Sequence, residues 1–405
     1  MPYKPIVYWA NPNEVCHLDF PGRNDKRNMK TNNLVKTRLI LDKILDNINS
    51  GDTVGIKVHA GEAHNTRYLR HDYVHEVVEA VKSKGGIPTL IETQGIGMNI
   101  EQLNLSENYS ICLGHRKNTE DHHKIAHLHG YSESIIGAPL KFVDGDKGLD
   151  GKIIEIDGIH FKEVSIAAGL FEYDKIVVIS RFKGHPNAGF GGALKQLGIG
   201  CVSKRNKYRA HLSGIIFVNP NGCKISKCAQ ECIAACPVNA IKIENELASI
   251  DVSTCIGCIG CIESCPLKGA ILSEPFRKNK EFIECTMDNA AAVLVSYNPE
   301  NIRYINFAVD ITLVCDCVVN AGVPIIPDLG IFASDDPLAI DKACLDAETN
   351  APGLPVLGKD GKWTEPLSPG VEKFKAMNHK VDPTWQLDAA VKNGLGCIEY
   401  ELVNI

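Results

Sequence analysis

The chain has 405 residues, 44% of them hydrophobic and 23% charged. That composition sustains more than one packed core and excludes a disordered chain. A formal net charge of −6 gives no electrostatic ground for a nucleic-acid partner.

No stretch reaches the roughly 18 apolar residues of a membrane span, and the opening MPYKPIVYWANPNEV holds no apolar run of signal-peptide length. A cytoplasmic protein with no membrane partner is therefore expected. In that reducing compartment the sixteen cysteines point to metal rather than to disulfide staples.

In chain order, residues 53–58 (TVGIKV) read as a buried strand. Residues 73–84 have helical spacing and close at Gly85-Gly86, and Ile87–Glu92 is a second strand. Histidines gather here. His59 and His64 flank Gly61-Glu62, with Arg67 and Arg70 following. His115, His122, His123, His127 and His129 come next, and His122 and His129 share a face if the segment is helical. Imidazole serves metals and anions alike. His59 and Arg67 are candidate cofactor-binding residues; a structural role is the other reading.

Residues 164–172 read as a short helix and residues 175–180 as a strand. A glycine-rich loop follows: Lys183-Gly184-His185, then Gly189-Phe190-Gly191-Gly192-Ala193-Leu194-Lys195. The crevice beyond a strand's carboxyl end is where α/β sheets bind ligands. Gly189, Gly191 and Gly192 can present N–H groups as an anion nest, making them candidate cofactor-binding residues. Lys183, His185 and Lys195 are the candidate catalytic groups. Lys195 is followed by Gln196, so this is no GxxxxGK[ST] phosphate loop, nor is it GxGxxG in its usual setting. A solvated turn remains the alternative.

Next comes the cysteine block. Cys255-x2-Cys258-x2-Cys261-x3-Cys265-Pro266 is the bacterial ferredoxin run, in which three thiolates grip one cube and the fourth reaches a second. Zinc takes well-separated pairs instead. Cys223-x4-Cys228-x3-Cys232-x3-Cys236-Pro237 is looser, which leaves a three-iron or labile cluster open there. The tails after the two prolines repeat, as the halves of a two-cluster ferredoxin do. Crossed ligation assigns Cys255, Cys258, Cys261 and Cys236 to one [4Fe–4S] cluster, and Cys223, Cys228, Cys232 and Cys265 to the other.

Beyond the block, residues 282–295 read as a helix and 304–309 as a strand. Ser334-Asp335-Asp336-Pro337 opens a helix running through Cys344, and Thr384–Lys392 is a last one. Cys315-Asp316-Cys317 is too tight for an ordinary disulfide and reads as metal ligands or core. Cys16, Cys112, Cys201, Cys285, Cys344 and Cys397 read as structural.

Several of these segments together resemble one family. They are the glycine-rich loop with Leu197-Gly198-Ile199-Gly200, His59-Ala60-Gly61-Glu62 with Asn65-Thr66-Arg67, and Gly114-His115-Arg116-Lys117-Asn118 with Asp121-His122 and His129-Gly130. Cys315-Asp316-Cys317, Pro327-Asp328-Leu329-Gly330 and Asp336-Pro337-Leu338-Ala339-Ile340-Asp341 extend the likeness. The chain resembles the "domain of unknown function 362" proteins, labelled uncharacterised iron–sulfur centre proteins. That resemblance implies a split α/β domain holding an inserted ferredoxin-like module. The GFGGALK loop is also similar to that of nickel-dependent lactate racemases, where the region holds an organometallic cofactor; fold-level likeness does not transmit function.

The expected fold is α/β, a mainly parallel sheet with flanking helices, split by an insertion that forms a small α+β ferredoxin-like module. The α/β domain would span 1–215 and 281–405 and the insertion 216–280; three domains in series is the alternative. The expected protein is an oxygen-sensitive iron–sulfur redox protein. It would pass single electrons through two [4Fe–4S] clusters to a small-molecule acceptor or redox partner protein near the loop, and it could work as a homo-oligomer. If an enzyme, it would be an iron–sulfur-dependent oxidoreductase. The rival readings are a metal-cofactor enzyme of the lactate-racemase type, and an electron-carrier subunit with no substrate of its own.

Overall fold

Runs of β-branched residues buried on both faces build the centre of the molecule. The computed structural model describes residues 4–12, 32–96, 116–213, 216–273 and 276–405, with the backbone of two short strands at Gln102–Ser106 and Tyr109–Cys112. Eight strands form one sheet: β1 (Ile6–Ala10), β2 (Thr53–Lys57), β3 (Ile87–Glu92), β4 (Leu140–Phe142), β5 (Lys175–Arg181), β6 (Ile302–Ala308), β7 (Gly330–Ser334) and β8 (Glu401–Asn404). Their order is β8-β1-β7-β6-β5-β2-β3-β4. β7 runs against its neighbours β6 and β1, and every other adjacent pair is parallel.

β5 shows why such strands are apolar on both sides. Ile176 and Val178 enter one core and Val177 and Ile179 the other, the period of two that a pleated strand imposes. The helices α1 (Asn33–Ile44), α2 (His71–Ser83) and α3 (Thr119–Leu128) pack on the second core. The first core takes side chains from α4 (Ala193–Gly198), α5 (Lys204–His211), α6 (Asn279–Val295), α7 (Pro337–Asn350) and α8 (Thr384–Lys392). Asp336 caps α7, accepting from Leu338 N at 2.9 Å and Ala339 N at 2.8 Å, with Pro337 in the first turn.

Two expectations are corrected. Residues 164–172 are not a helix. Glu163–Ala167 is a strand paired with Gly151–Glu155, and only Ala168–Glu172 coils, as a 3₁₀ turn. Val164 and Ile166 alternate into the core, so a strand period wins over the helical one. The glycine-rich loop is in part regular: Lys183–His185 pairs with Gly189–Gly191 as a hairpin, leading directly into α4.

The chain runs β2, β3, β4 towards one edge, then returns to place β5 on the other side of β2. The crevice above the carboxyl ends of β5 and β2 is therefore the switch point of the sheet. The cysteine segment forms its own small structure. Ile216–Val218 pairs with Ile271–Ser273, and Ile241–Glu244 pairs with Leu247–Ile250. Short helices at Glu231–Ala234 and Gly260–Ser264 complete it around a separate core that also takes in Tyr208 and Leu212. Among the described residues no helix is long and apolar enough to cross a membrane.

Candidate functional site

A cavity of about 310 Å³ opens at the switch point. His59 and Glu62 follow the end of β2 onto its wall, Glu92 closes β3 with Thr93 and Gln94 just beyond, and Ser180 lies next to the end of β5. Lys183, His185, Gly191, Gly192 and Lys195 come from the glycine hairpin and α4, and Lys207 and His211 from α5. Arg116, Asp316 and Cys317 complete the charged part of the wall.

Most of the buried charges here are matched. Lys57 lies 2.7 Å from Glu92, Arg116 3.1 Å from Glu62, Lys207 3.5 Å from Asp144, and Asp316 lies 3.3 Å from Lys183 and 3.7 Å from Arg181. Such pairing is what makes buried charge tolerable. Burial alone would raise the Asp316 carboxyl, but the Lys183 and Arg181 cations hold it deprotonated. Burial keeps His59 neutral, its pKa lowered to about 3, and lowers His211 to about 4. Lys207 falls to about 8, again through burial, with Asp144 opposing.

Lys195 is the exception. No ion pair or hydrogen bond of its ammonium occurs among the described residues. Burial, then repulsion from Lys183, lowers its pKa to about 7. Lys195 thus presents to the cavity an ammonium with no direct partner among the described residues and only the longer-range pull of Asp316, the setting of a group that binds an anion or moves a proton.

Lys183, His185, Lys195, His59, Gly191 and Gly192 are brought together here. The N–H groups of Ala193 and Leu194 donate to Asp341 at 2.8 and 2.9 Å. A Cβ on Gly192 would meet Asp341 Oδ1 at 2.2 Å, so the close approach of that carboxylate requires the glycine. Gly189 has φ +81° and lies against Pro383 instead of the cavity. Arg67 is drawn away to Asp310 at 3.0 Å and is not on the wall.

The histidine run does not converge. His122 on α3 and His129 just past its end are both buried. His122, however, stacks on Phe142 with Nδ1 3.1 Å from Gln94 Oε1, whereas His129 lies on Tyr68 with Nδ1 2.7 Å from Ala60 O. His115 and Cys16 lie outside the described residues, as does the side chain of Cys112. Cys201, Cys285 and Cys344 are buried, and Cys397 is half-buried.

Cys315 and Cys317 form a disulfide, which the sequence did not lead one to expect, while the core reading holds for Cys315. Their Cα atoms are 5.4 Å apart, inside the normal range for a bridge, so one intervening residue is no bar. Cys315 is 1% exposed and joins the core, while Cys317 lines the cavity.

Sequence reasoning missed Glu92, Thr93, Gln94, Arg116, Lys207 and Asp316. Their signal was weak: Lys57 and Glu92 are charges closing otherwise apolar strands, and buried charge in such a run marks a strand end at a site.

In the cysteine segment the two motifs share a backbone device. Gln230 (φ 61°) and Ile259 (φ 51°) are left-handed, and each directly precedes a short helix whose second residue is a cysteine, Cys232 or Cys261. A small cavity is lined by Cys236, Cys255, Cys258 and Cys261 within a shell of isoleucines, Val238 and Ala240. Burial pushes Cys261 up to about 12, with its neighbours Cys258 and Cys255 adding to the shift. Burial also raises Cys232, beside Cys265 and Cys228, and Cys265, beside Cys228 and Cys223. Cys232 acts on Cys261 as well, so the two halves of the segment lie close together. Ala240 N donates to Cys236 Sγ at 3.2 Å, a backbone bond of the kind that tunes thiolate ligands.

Four thiolates on one zinc, each about 2.3 Å from it, would sit within about 4 Å of one another. Among the described residues only His185, Cys315 and Cys317 gather their ligand atoms to within 4.8 Å. The four cysteines of the small cavity and their apolar shell fit a metal cluster better than a single ion.

One helix links the two regions. α5 carries Lys207 and His211 on the cavity wall. It also carries Tyr208, whose Oη donates to Glu263 at 3.0 Å, and Lys204, whose Nζ lies 3.6 Å from the same carboxylate. Glu263 lies on the helix of Cys261. Ile96 lines the cavity and packs on the cysteine-segment core.

A family model described as "Domain of unknown function (DUF362)" matches residues 54–346. A stretch of 59 residues, 14% of the chain, is 44% identical to a tetrathionate reductase subunit of Archaeoglobus fulgidus. The chain covers 27% of that protein. A stretch of 51 residues is 43% identical to an uncharacterized protein in the rpl9-rpl11 intergenic region of Porphyra purpurea, 68% of which is covered.

Proposed function

The chain belongs to the family of the domain of unknown function DUF362, and since that title carries no chemistry we propose its function from the site: an iron–sulfur redox protein that passes single electrons to a small anionic molecule held in the switch-point cavity. Cys236, Cys255, Cys258 and Cys261 would hold one [4Fe–4S] cluster, and Cys223, Cys228, Cys232 and Cys265 the other. Such clusters, when bound, supply one electron at a time.

The observation that carries this reading is the cavity lined by one crossed set of four cysteines, joined through a single helix to a second cavity where the Lys195 cation has no partner among the described residues. Lys195 binds the anion and gives or takes a proton there. His59, held neutral by burial, adds a polar wall without a second charge. The side chains of Ile96 and Tyr208 exclude water between the two regions. A reductase subunit among the relatives agrees with a redox role. A carrier subunit without a substrate would need no pocket beside the glycine hairpin.

The test is anaerobic purification followed by iron and sulfide assay and by electron paramagnetic resonance after reduction. About eight irons per chain and two interacting cubane signals are expected. Protein made without oxygen that holds no iron would overturn the proposal.

A further inference from the structure

Cys315, Cys317 and His185 form a cluster at the cavity that the cysteine segment does not account for. A metal ion is one use of such a trio, but the imidazole argues against it. His185 Nδ1 faces two backbone donors, Asn187 N at 3.2 Å and Ala188 N at 3.0 Å. It must accept, so in the neutral ring the proton sits on Nε2. Nε2 is the atom 4.0 Å from Cys317 Sγ. A ligating nitrogen has no proton, and its partner nitrogen normally donates outward; here both requirements fail. An N–H directed at sulfur is instead what stabilises a thiolate.

A structural staple is also a poor account. A bridge between residues two apart closes a minimal loop and removes little freedom from the unfolded chain. Disulfides that are neither secreted nor staples are usually catalytic or redox-sensing. The surroundings fit that class. Cys317 lines the cavity, Cys315 lies buried behind it, and Asp316 between them is clamped by Lys183 at 3.3 Å and Arg181 at 3.7 Å. These cations fix the turn and favour negative charge on sulfur.

We infer that Cys315 and Cys317 are a redox-active dithiol–disulfide couple facing the cavity, which takes up an electron pair and presents it to the bound ligand. On reduction the Sγ–Sγ bond accepts two electrons and breaks, leaving two thiolates. One proton, from the Lys195 ammonium, converts the Cys315 thiolate to a thiol and leaves the Cys317 thiolate on the His185 N–H, and oxidation by an electron-pair acceptor reverses each step. His185 Nε2–H hydrogen-bonds to the nascent thiolate and keeps its proton. The proposed clusters, when bound, would supply the electrons singly, so that route rests on the function proposed above; a small-molecule dithiol supplies the same pair without it.

The whole protein, purified anaerobically, would be equilibrated in dithiothreitol buffers of graded redox ratio, quenched in acid and alkylated. The peptide spanning residues 315–317 would then be weighed. It should gain two alkyl groups in reducing buffer and none in oxidising buffer, with a two-electron transition. His185→Phe should shift that equilibrium about tenfold towards the disulfide, the low end of a hydrogen bond to a charged group. His185→Gln, which still carries a side-chain donor, should recover part of the shift. Two alkyl groups at every ratio would overturn the couple, and so would alkylation that appears only after a chelator strips a metal. Iron assay of the same samples separates the two proposals. Iron-free protein that still titrates sinks only the cluster reading, and iron-loaded protein that does not titrate sinks only the couple.

Discussion

The cysteine segment and the switch-point cavity are built at different scales. Eight thiols sit between Cys223 and Cys265, and short left-handed turns at Gln230 and Ile259 aim them. The cavity draws His59, Glu92, Arg116, Lys195, Lys207 and Asp316 from across the chain, and nothing but the sheet brings them together. A multidentate ligand demands short chelating loops, so its chemistry shows in local spacing. A charged pocket demands only that strand ends converge. The first region should lose function through single ligands, the second through loss of charge balance.

The largest effect is expected in the cysteine segment. Cys258→Ser removes one corner of one crossed set, and iron should fall from about eight to about four per chain, with one of the two resonance signals gone. Retention of all the iron would break the comparison, because the ligands would then be interchangeable.

In the cavity, Asp316→Asn leaves Lys183 and Arg181 buried without their shared carboxylate. Breaking a buried pair from one side costs about 3–5 kcal/mol, read as a lowered midpoint in denaturant unfolding. Iron content should not change, which separates the two regions. Asp341→Ala should cost less, about 2 kcal/mol in the same assay, by orphaning the first N–H groups of α4 and the Asn306 amide. A cavity variant that strips iron would show that the regions fold as one unit.

The same difference of scale governs how much was legible. The parallel sheet and most of its helices follow from apolar runs and capping residues, as at Asp336-Pro337 and in β5. The strand at Glu163–Ala167 did not, because its partner Gly151–Glu155 is what decides its period. Lys183, His185 and Lys195 were legible as a loop rich in chemistry. The role of Gly192 was not, since it depends on Asp341, far along the chain. Arg67 had the right type and neighbourhood but pairs with Asp310 instead. Spacing alone argued against a bond between Cys315 and Cys317, whereas the backbone places their Cα atoms 5.4 Å apart.

The smallest effect sharpens the comparison most, because it is a change of slope with pH. The folded pKa of Lys195 is about 7 against an ordinary 10.5, chiefly through burial. Between those values the unfolded chain holds a proton that the folded one lacks, so stability should rise with pH across that window. Binding of an anion runs the other way. Sulfate, whose charge is constant here, needs the ammonium, so its affinity should fall as pH rises past 7, by at most about tenfold per unit for one proton. A ligand that binds the ammonium also raises its pKa, so the midpoint should move upward as sulfate is added. Calorimetric titrations with sulfate and denaturant midpoints at pH 6 to 9 would give both slopes, and Lys195→Met should flatten both together. If the two slopes persist in Lys195→Met, the titrating cation lies elsewhere on the wall, with Lys207, paired to Asp144 and lowered to about 8, the next to replace.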